Sequence, residues 1–403
     1  MTGITSKRLG ALLQLSDSGT WGEPASIENR YPVLRSSNVV NNALDFAEVA
    51  HRAIPSAHSQ AKKLAEGDII VVTSSGSSDH IGKCGVFSEG LSKEPCYFSN
   101  FMLRLRPDRH QVDPLWLYYW LTSRRGRNIL EKMNPTTSGL RNLKKGLYLA
   151  QSIPLRPMRE QQRFVAMLNR VDAIRRGQRE IPLLLEEVVR SVFLEMFGNP
   201  VRNDKGWALR SAASCVHRIE TGTSVKGDGE LTSPDKWAVL KISAVTSGRY
   251  LPTECKSVGN PPAKLIVPRQ GDLLFSRANT RELVAATCLV DHDAERLFLP
   301  DKLWRITPNA ELATAEYIRF LFADPGFRQT LTRHATGTSG SMLNISQQKL
   351  LRLRLPMPPV ALQQQFAEIV WIAYKLRARV RGAILHTDEM FESFTRAAFE
   401  KGA

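Results

Sequence analysis

The chain is 403 residues long, room for two or three domains with a core in each, which excludes a miniprotein or a disulfide scaffold. Lys plus Arg number 55 against 39 Asp plus Glu, and the formal charge of +16 points to a polyanionic partner such as nucleic acid. Hydrophobic residues make up 42% and charged residues 23%, which fits a folded soluble chain and not a disordered one, and no apolar run approaches the ~20 residues that span a bilayer. No membrane partner is expected. The opening MTGITSKRLGALLQL lacks the apolar core of a secretory signal, so a cytoplasmic location is expected. Cys84, Cys96, Cys215, Cys255 and Cys288 are scattered and never spaced C-x-x-C, which predicts free thiols and no zinc site.

In chain order the short apolar, β-branched runs at 31–34, 68–72, 85–87 and 101–105 predict strands. A helix follows over 114–132, with Trp116, Tyr119 and Trp120 on one face, more suited to a core than to base stacking. After Pro154 and Pro157 a long helical segment runs to Phe197. The course then begins again, with strands predicted at 237–242, 272–275, 286–290 and 302–306, a helix at 313–323 and a second helical tail.

The second half repeats the first at an offset near 202 residues. Ser18-Gly19-Thr20 answers to Thr221-Gly222-Thr223, Gly67-Asp68-Ile69-Ile70 to Gly271-Asp272-Leu273-Leu274, and Thr137-Ser138-Gly139 to Thr338-Ser339-Gly340. Ile153-Pro154-Leu155 with Gln161, Gln162 and Phe164 lies over Leu355-Pro356-Met357 with Gln363, Gln364 and Phe366.

Both tails carry a heptad stripe. In the first it is Ile174, Gln178, Ile181, Leu185, Val188, Val192 and Met196; in the second, Leu376, Val380, Ala383, Thr387, Met390, Phe394 and Ala398. Each stripe has one polar interruption, Gln178 or Thr387, and the two stripes are expected to pack together as an antiparallel pair. The alternative is that each helix covers its own domain. Pro182 is expected to kink the first helix or restart it after Gly177. A rod of about 55 Å from Glu160 to Phe197 would match some 16 base pairs of duplex, so the tails could act as a ruler between two readers.

These residues resemble the specificity subunit of type I restriction-modification systems over essentially the whole chain. The resemblance is carried by Ile-Pro-Leu-Arg-Pro-Met-Arg-Glu-Gln-Gln at 153–162, Ser-Val-Phe-Leu-Glu-Met-Phe-Gly-Asn-Pro at 191–200, Gly-Asp-Leu-Leu-Phe-Ser-Arg-Ala-Asn-Thr at 271–280 and Ile-Gly-Lys-Cys-Gly-Val at 81–86. The second tail departs from the pattern, ending without the Phe-Gly-Asn-Pro that closes the first. The resemblance implies a mixed α/β (α+β) fold with a pseudo-twofold internal repeat. Two target recognition domains, 1–152 and 201–354, would be joined by two long antiparallel, coiled-coil-like spacer helices, 153–200 and 355–403. It further implies a non-catalytic subunit that binds double-stranded DNA and two adenine methyltransferase subunits, the latter largely through the spacers, and that joins restriction subunits in the full complex. Each domain would read half of a bipartite, asymmetric site. No cofactor is expected in this chain; S-adenosylmethionine, ATP and Mg²⁺ would sit on partner subunits.

Base reading needs side chains that make paired hydrogen bonds to base edges, carried on loops of a rigid scaffold. In the first half Ser74, Ser75, Ser77, His80 and Lys83 follow a predicted strand; in the second Arg277, Asn279, Thr280 and Arg281 hold the equivalent place. The Thr-Ser-Gly loops, with Thr137, Ser138, Arg141, Lys144 and Lys145 and with Thr338, Ser339 and Asn344, suit phosphate oxygens. Ordinary hairpins carry Ser and Gly as well, and structural turns are the alternative for these loops. The run Arg124-Arg125-Gly126-Arg127 is read as phosphate-facing, against a solvated face.

Three partial matches to catalytic motifs are weaker. Asn260-Pro261-Pro262-Ala263 lacks the aromatic that would stack on a flipped adenine. The stretch from Gly76 to Lys83 is too long for a phosphate loop and has Cys84 where a Ser or Thr should bind Mg²⁺. Asp235, Glu254 and Lys256 fit the loose spacing of a metal-dependent nuclease, which stands as a rival, as does a stand-alone DNA-binding regulator without a methyltransferase partner.

Overall fold

The computed structural model describes residues 4–26, 29–75, 80–133, 141–225, 227, 229, 236–333, 335–336 and 343–400. The chain divides into two compact units, one of residues 1–178 and 383–403, the other of residues 179–382. Each long helix is therefore shared between the units.

The centre of the first unit is an antiparallel sheet in the order Cys84–Val86, Ile69–Val72, Met102–Pro107, Leu13–Ser18. Its strand Ile69–Val72 is buried on both faces, which is why it reads as an unbroken β-branched run. Ile69 and Val71 pack toward Trp116, Leu117 and Trp120, whereas Ile70 and Val72 pack toward Leu34, Phe98 and Met102. A second sheet runs Tyr97–Phe98, Tyr31–Leu34, Ala50–Ala53, Glu23–Pro24, its first two strands parallel. The second unit repeats the design. Its main sheet is ordered Thr287–Leu289, Leu273–Ser276, Leu303–Pro308, Val216–Thr221, and a three-stranded sheet again pairs Ala238–Leu240 and Leu297–Phe298 in parallel.

The repeated phrases have physical causes. A Cβ on Gly19 would lie 1.9 Å from Phe98 O, and one on Gly222 would lie 2.1 Å from Leu299 O, so only glycine fits either crossing. Ile153 and Leu155 are buried in a strand paired with Thr5–Arg8, and Leu355 and Met357 in one paired with Ala208–Ser211. Buried Gln161 accepts from Asp113 N at 3.0 Å, and buried Gln363 from Thr314 N at 3.0 Å. Asp113 and Thr314 are the N-caps of the helices Pro114–Thr122 and Ala315–Ala323, so each Gln ties the start of a long helix to a cap.

The helix expected over 114–132 is two helices, Pro114–Thr122 and Arg124–Met133, parted at Ser123, whose hydroxyl donates to Trp120 O at 2.7 Å. A Cβ on Gly126 would sit 2.2 Å from Trp120 O, so the second helix turns away through a glycine. Trp116, Tyr119 and Trp120 are core residues.

The long helices are Met158–Phe197 and Val360–Phe399, 40 residues each. The first runs through Pro182 without restarting at Gly177. In the first unit Arg175 Nε donates to Asp388 Oδ1 at 2.6 Å, and Arg156 donates to Ala398 O and Ala397 O, both at 2.8 Å, so the two segments run antiparallel. In the second, Phe193 and Phe197 near the end of one helix meet Phe366 near the start of the other.

The expected heptad stripes need correction, because Ile174, Val188, Leu376 and Met390 are exposed. Ile181, Leu185, Val192, Val380 and Phe394 are half-buried. The buried stripe of the first helix passes instead through Val165, Leu168 and Val171, then Val189, Phe193 and Phe197. A straight α-helix drifts about 20° per heptad against a 3.5-residue repeat, and here the aromatic packing of each unit selects the face.

Candidate nucleic-acid interface

In the first unit the strand Ile69–Val72 leads into Ser74–Ser75, which pairs antiparallel with Arg141–Asn142. The two candidate loops of that half are thus joined. The Ser74 hydroxyl donates to Asn142 Oδ1, Leu143 N to Thr73 O at 2.8 Å, and Thr73 Oγ1 to Phe101 O at 2.8 Å. His80 and Lys83, both half-buried, close the first loop, with Lys83 N donating to His80 O at 3.1 Å. Lys144 is exposed beside the ladder, and Lys145 Nζ donates to Ser16 O at 2.8 Å.

The second unit makes the same ladder between Ala278–Asn279 and Leu343–Asn344, with Ile345 N donating to Arg277 O at 2.8 Å. Arg277 Nε donates to Asp301 O at 2.9 Å, while Asn279 Oδ1 accepts from Thr280 N at 2.8 Å. Arg281 is exposed. Glu282 follows it, its carboxyl held below the usual range by its own backbone N–H and by the Thr280 hydroxyl. Such a cluster offers forked N–H donors and an amide, the groups that pair with base edges.

Two arginines brace these loops from behind. Arg127 Nη1 donates to Ile81 O at 2.9 Å, and Arg328 Nη2 donates to Glu282 O at 2.9 Å. They stand 201 positions apart on equivalent helices, Arg124–Met133 and Pro325–Arg333. The reading of Arg127 as phosphate-facing is corrected by this inward bond. Arg328 was not singled out from the sequence, and the signal that finds it is an arginine repeated at the internal offset. Ser77, Thr137, Ser138, Thr338, Ser339 and the Arg141 side chain lie outside the described residues.

Burial pushes the Cys84, Cys96 and Cys288 thiols up to about 12, so none is a ready nucleophile. No cluster of three His, Cys, Asp or Glu that could hold a metal ion occurs among the described residues. Of the nuclease set, Asp235 lies outside the described residues, and Glu254 accepts from Ser243 Oγ at 2.7 Å and pairs with Lys241 at 3.8 Å.

Residues 8–186 match the model of the type I restriction modification DNA specificity domain. The chain is similar to type I restriction-modification specificity subunits. It is 24% identical over 424 residues to the EcoKI specificity subunit of Escherichia coli K12, covering 98% of this chain and 85% of that one. To the StySPI specificity subunit of Salmonella potsdam it is 20% identical, with the same coverage. Among solved structures, the type I S subunit from M. genitalium superposes with a TM-score of 0.58 at 11% identity, over 100% of this chain and 97% of that one. A chain from a study of type I complex assembly and conformational transition gives 0.52 at 16% identity, over 99% and 98%. These two likenesses establish the specificity-subunit fold, two mixed α/β bodies with long helices. No helix among the described residues is long and apolar enough to cross a membrane.

Proposed function

We propose that this specificity subunit binds double-stranded DNA at a bipartite, asymmetric site, one half read by each unit, and directs adenine methylation by two methyltransferase subunits. It is non-catalytic. S-adenosylmethionine belongs to the methyltransferases, ATP and Mg²⁺ to restriction subunits of the full complex, and the assembly works in the cytoplasm. The long helices, to which both units contribute, set the number of unread base pairs between the half-sites.

The observation that carries this reading is one ladder built twice with different side chains on it. Ser74 and Asn142 stand where Ala278 and Asn344 stand in the second unit, and Arg277 and Arg281 answer to the uncharged Thr73 and Ser77. A duplicated scaffold with unlike tips is what two readers of unlike sequences require. Each bidentate base contact discriminates by about 1–3 kcal/mol, so a few per unit reach the selectivity of a split site.

Sequencing methylated bases in DNA from cells that carry this chain with its methyltransferase tests the reading. The expected result is one motif of two unlike short halves around a fixed unread gap. A continuous motif, or no motif dependent on this chain, overturns it.

A further inference from the structure

A surface that meets a polyanion is expected to be poor in carboxylates, yet the candidate reading loop of the second unit exposes one, Glu282. That loop leaves the strand Leu273–Ser276 and closes where Ala285 N donates to Ser276 O at 2.9 Å; in the first unit Gly82 N closes on Val72 O at 2.8 Å. Both closing residues are left-handed, with φ of +64° at Ala285 and +72° at Gly82, so they mark the same point of the two loops. Counted back from them, the third residue is Glu282 in one half and, in the sequence, Asp79 in the other; Asp79 lies outside the described residues. An acid stands at that step in both halves, although the residues around it differ.

The charge is not spent on the loop itself. Arg328 Nη2 donates at 2.9 Å to the main-chain oxygen of Glu282, not to its carboxylate, and among the described residues no Lys or Arg forms a salt bridge with that carboxylate. Its own backbone N–H and the Thr280 hydroxyl bond to it, and these hold it ionised. A glutamine oxygen would accept those two bonds equally, so they do not require an anion. A carboxylate has about four acceptor sites, which leaves capacity for a partner from outside.

The neighbouring side chains offer donors. Arg277 is fixed through Nε and Asn279 through Oδ1, which leaves the Arg277 Nη groups, Asn279 Nδ2 and the exposed Arg281 guanidinium. Phosphate oxygens satisfy N–H donors at any sequence, so donors alone bind duplex with little choice. In the major groove the donors on base edges are the exocyclic amino groups, N4 of cytosine and N6 of adenine, whereas guanine and thymine present carbonyl oxygens. A carboxylate therefore gains at one kind of base and is repelled at the other, which is discrimination in both directions.

We propose that Glu282 is a specificity-determining residue of the second unit, its carboxylate accepting from the exocyclic amino group of a cytosine or adenine in that unit's half-site and rejecting guanine or thymine there. This rests on the functional reading above. Glu282 also weakens the hold of the loop on unrelated DNA, where it faces phosphates with no amino group to meet.

The test uses the full-length chain with its methyltransferase and duplexes of the motif that methylated-base sequencing returns. Across both half-sites each cytosine is replaced in turn by 2-pyrimidinone and each adenine by unsubstituted purine, bases that lack the amino group. Wild type should lose about tenfold in affinity at one replacement that costs Glu282→Ala nothing, the scale of one base contact, and the analogue that does so identifies the base. Against an unrelated duplex, Glu282→Ala and Glu282→Gln should both bind several-fold tighter than wild type, since one negative charge has gone. Gln keeps the bonds to the backbone N–H and to Thr280, so wild-type behaviour of Glu282→Gln on unrelated DNA would reduce Glu282 to a loop cap and overturn the proposal. Equal losses in wild type and Glu282→Ala at every analogue would overturn it too. If wild type binds the motif no better than the unrelated duplex, the functional reading fails instead.

Discussion

The Thr387 hydroxyl donates to Gln178 Oε1 at 2.7 Å, so the polar interruptions of the two long helices are each other's partner. The hydroxyl also reaches Ala383 O and Ile384 O, both at 3.0 Å, which leaves Gln178 as the side that depends on the pair. A half-buried polar pair between two helices helps fix their register at some cost in stability. Thr387→Val should lower the stability of this unit by about 1 kcal/mol, and a double-mutant cycle with Gln178→Leu should give a coupling of about 0.5–1.5 kcal/mol. Urea unfolding of the four proteins decides it, and strict additivity would show that the bond contributes nothing.

Gln363 and Gln161 hold equivalent places with unequal loads. Gln363 Nε2 donates to Pro358 O at 2.8 Å and Leu312 O at 3.0 Å, in addition to receiving Thr314 N. Among the described residues Gln161 Nε2 donates to Arg156 O alone, at 2.8 Å, while its oxygen receives Asp113 N. Replacement by Leu strands those backbone groups in a dry site, so Gln363→Leu should cost about 3 kcal/mol or more and Gln161→Leu about 2 kcal/mol. Thermal unfolding should place Gln363→Leu below Gln161→Leu; the reverse order would mean that Leu312 O finds another donor.

The repeat was legible because it rests on backbone demands that few residues meet. Gly19 and Gly222 sit against carbonyls, Gly67 and Gly271 adopt φ of +85° and +94°, and Gln161 and Gln363 each accept from the backbone of a helix N-cap, so identity survives at those points. Strand cores were legible for the same reason, as four consecutive buried positions accept only apolar residues. The buried helix stripe was not, since Val188 and Val189 are equally apolar and only the aromatic cluster of Phe193, Phe197 and Phe366 decides which one faces inward. The loop braces were missed because an arginine that donates to a backbone carbonyl has no local sequence mark.

Acid should loosen both units through matched ion pairs. Burial alone would raise the Asp17 carboxyl, but Arg104 and Lys62 outweigh it and hold it below the ordinary range; Glu220 is held low by Arg305. A carboxylate whose folded pKa is depressed adds stability that is present above its unfolded value, about 4, and is lost as pH falls through the folded value. Asp17→Asn and Glu220→Gln should therefore each lose less stability than wild type between about pH 6 and pH 3. Urea midpoints against pH would refute this by running parallel in variant and wild type.

Exposed cations and held cations should separate in DNA binding. Lys144 is exposed beside the ladder, whereas Arg277 is fixed through Nε to Asp301 O. Lys144→Ala should weaken binding to every sequence and reduce the salt slope by about one unit, while Arg277→Ala should weaken one half-site only. Titrations of duplexes altered in one half or the other make the distinction; equal losses at both halves from Arg277→Ala would remove it from base reading.

Arg328 should act on selectivity without touching DNA. Its Nη2 donates to Glu282 O at 2.9 Å and Val284 O at 3.4 Å, directly behind the tip that carries Asn279, Thr280 and Arg281. The tip is also held by the two-residue ladder at Ala278–Asn279 and by Thr280 O, which accepts from Val284 N at 2.8 Å. Burial lowers the Arg328 pKa, and its Nε is enclosed without a partner among the described residues, so the side chain is poorly placed to meet a phosphate. Arg328→Ala should relax discrimination in the second unit's half-site by about 1 kcal/mol per misread base while leaving non-specific affinity and salt slope unchanged. Arg328→Lys, which keeps one donor, should recover part of it, and Arg127→Ala should do the same to the other half-site through Ile81 O. A salt slope lowered by about one unit in Arg328→Ala would show instead that the guanidinium meets the DNA backbone directly.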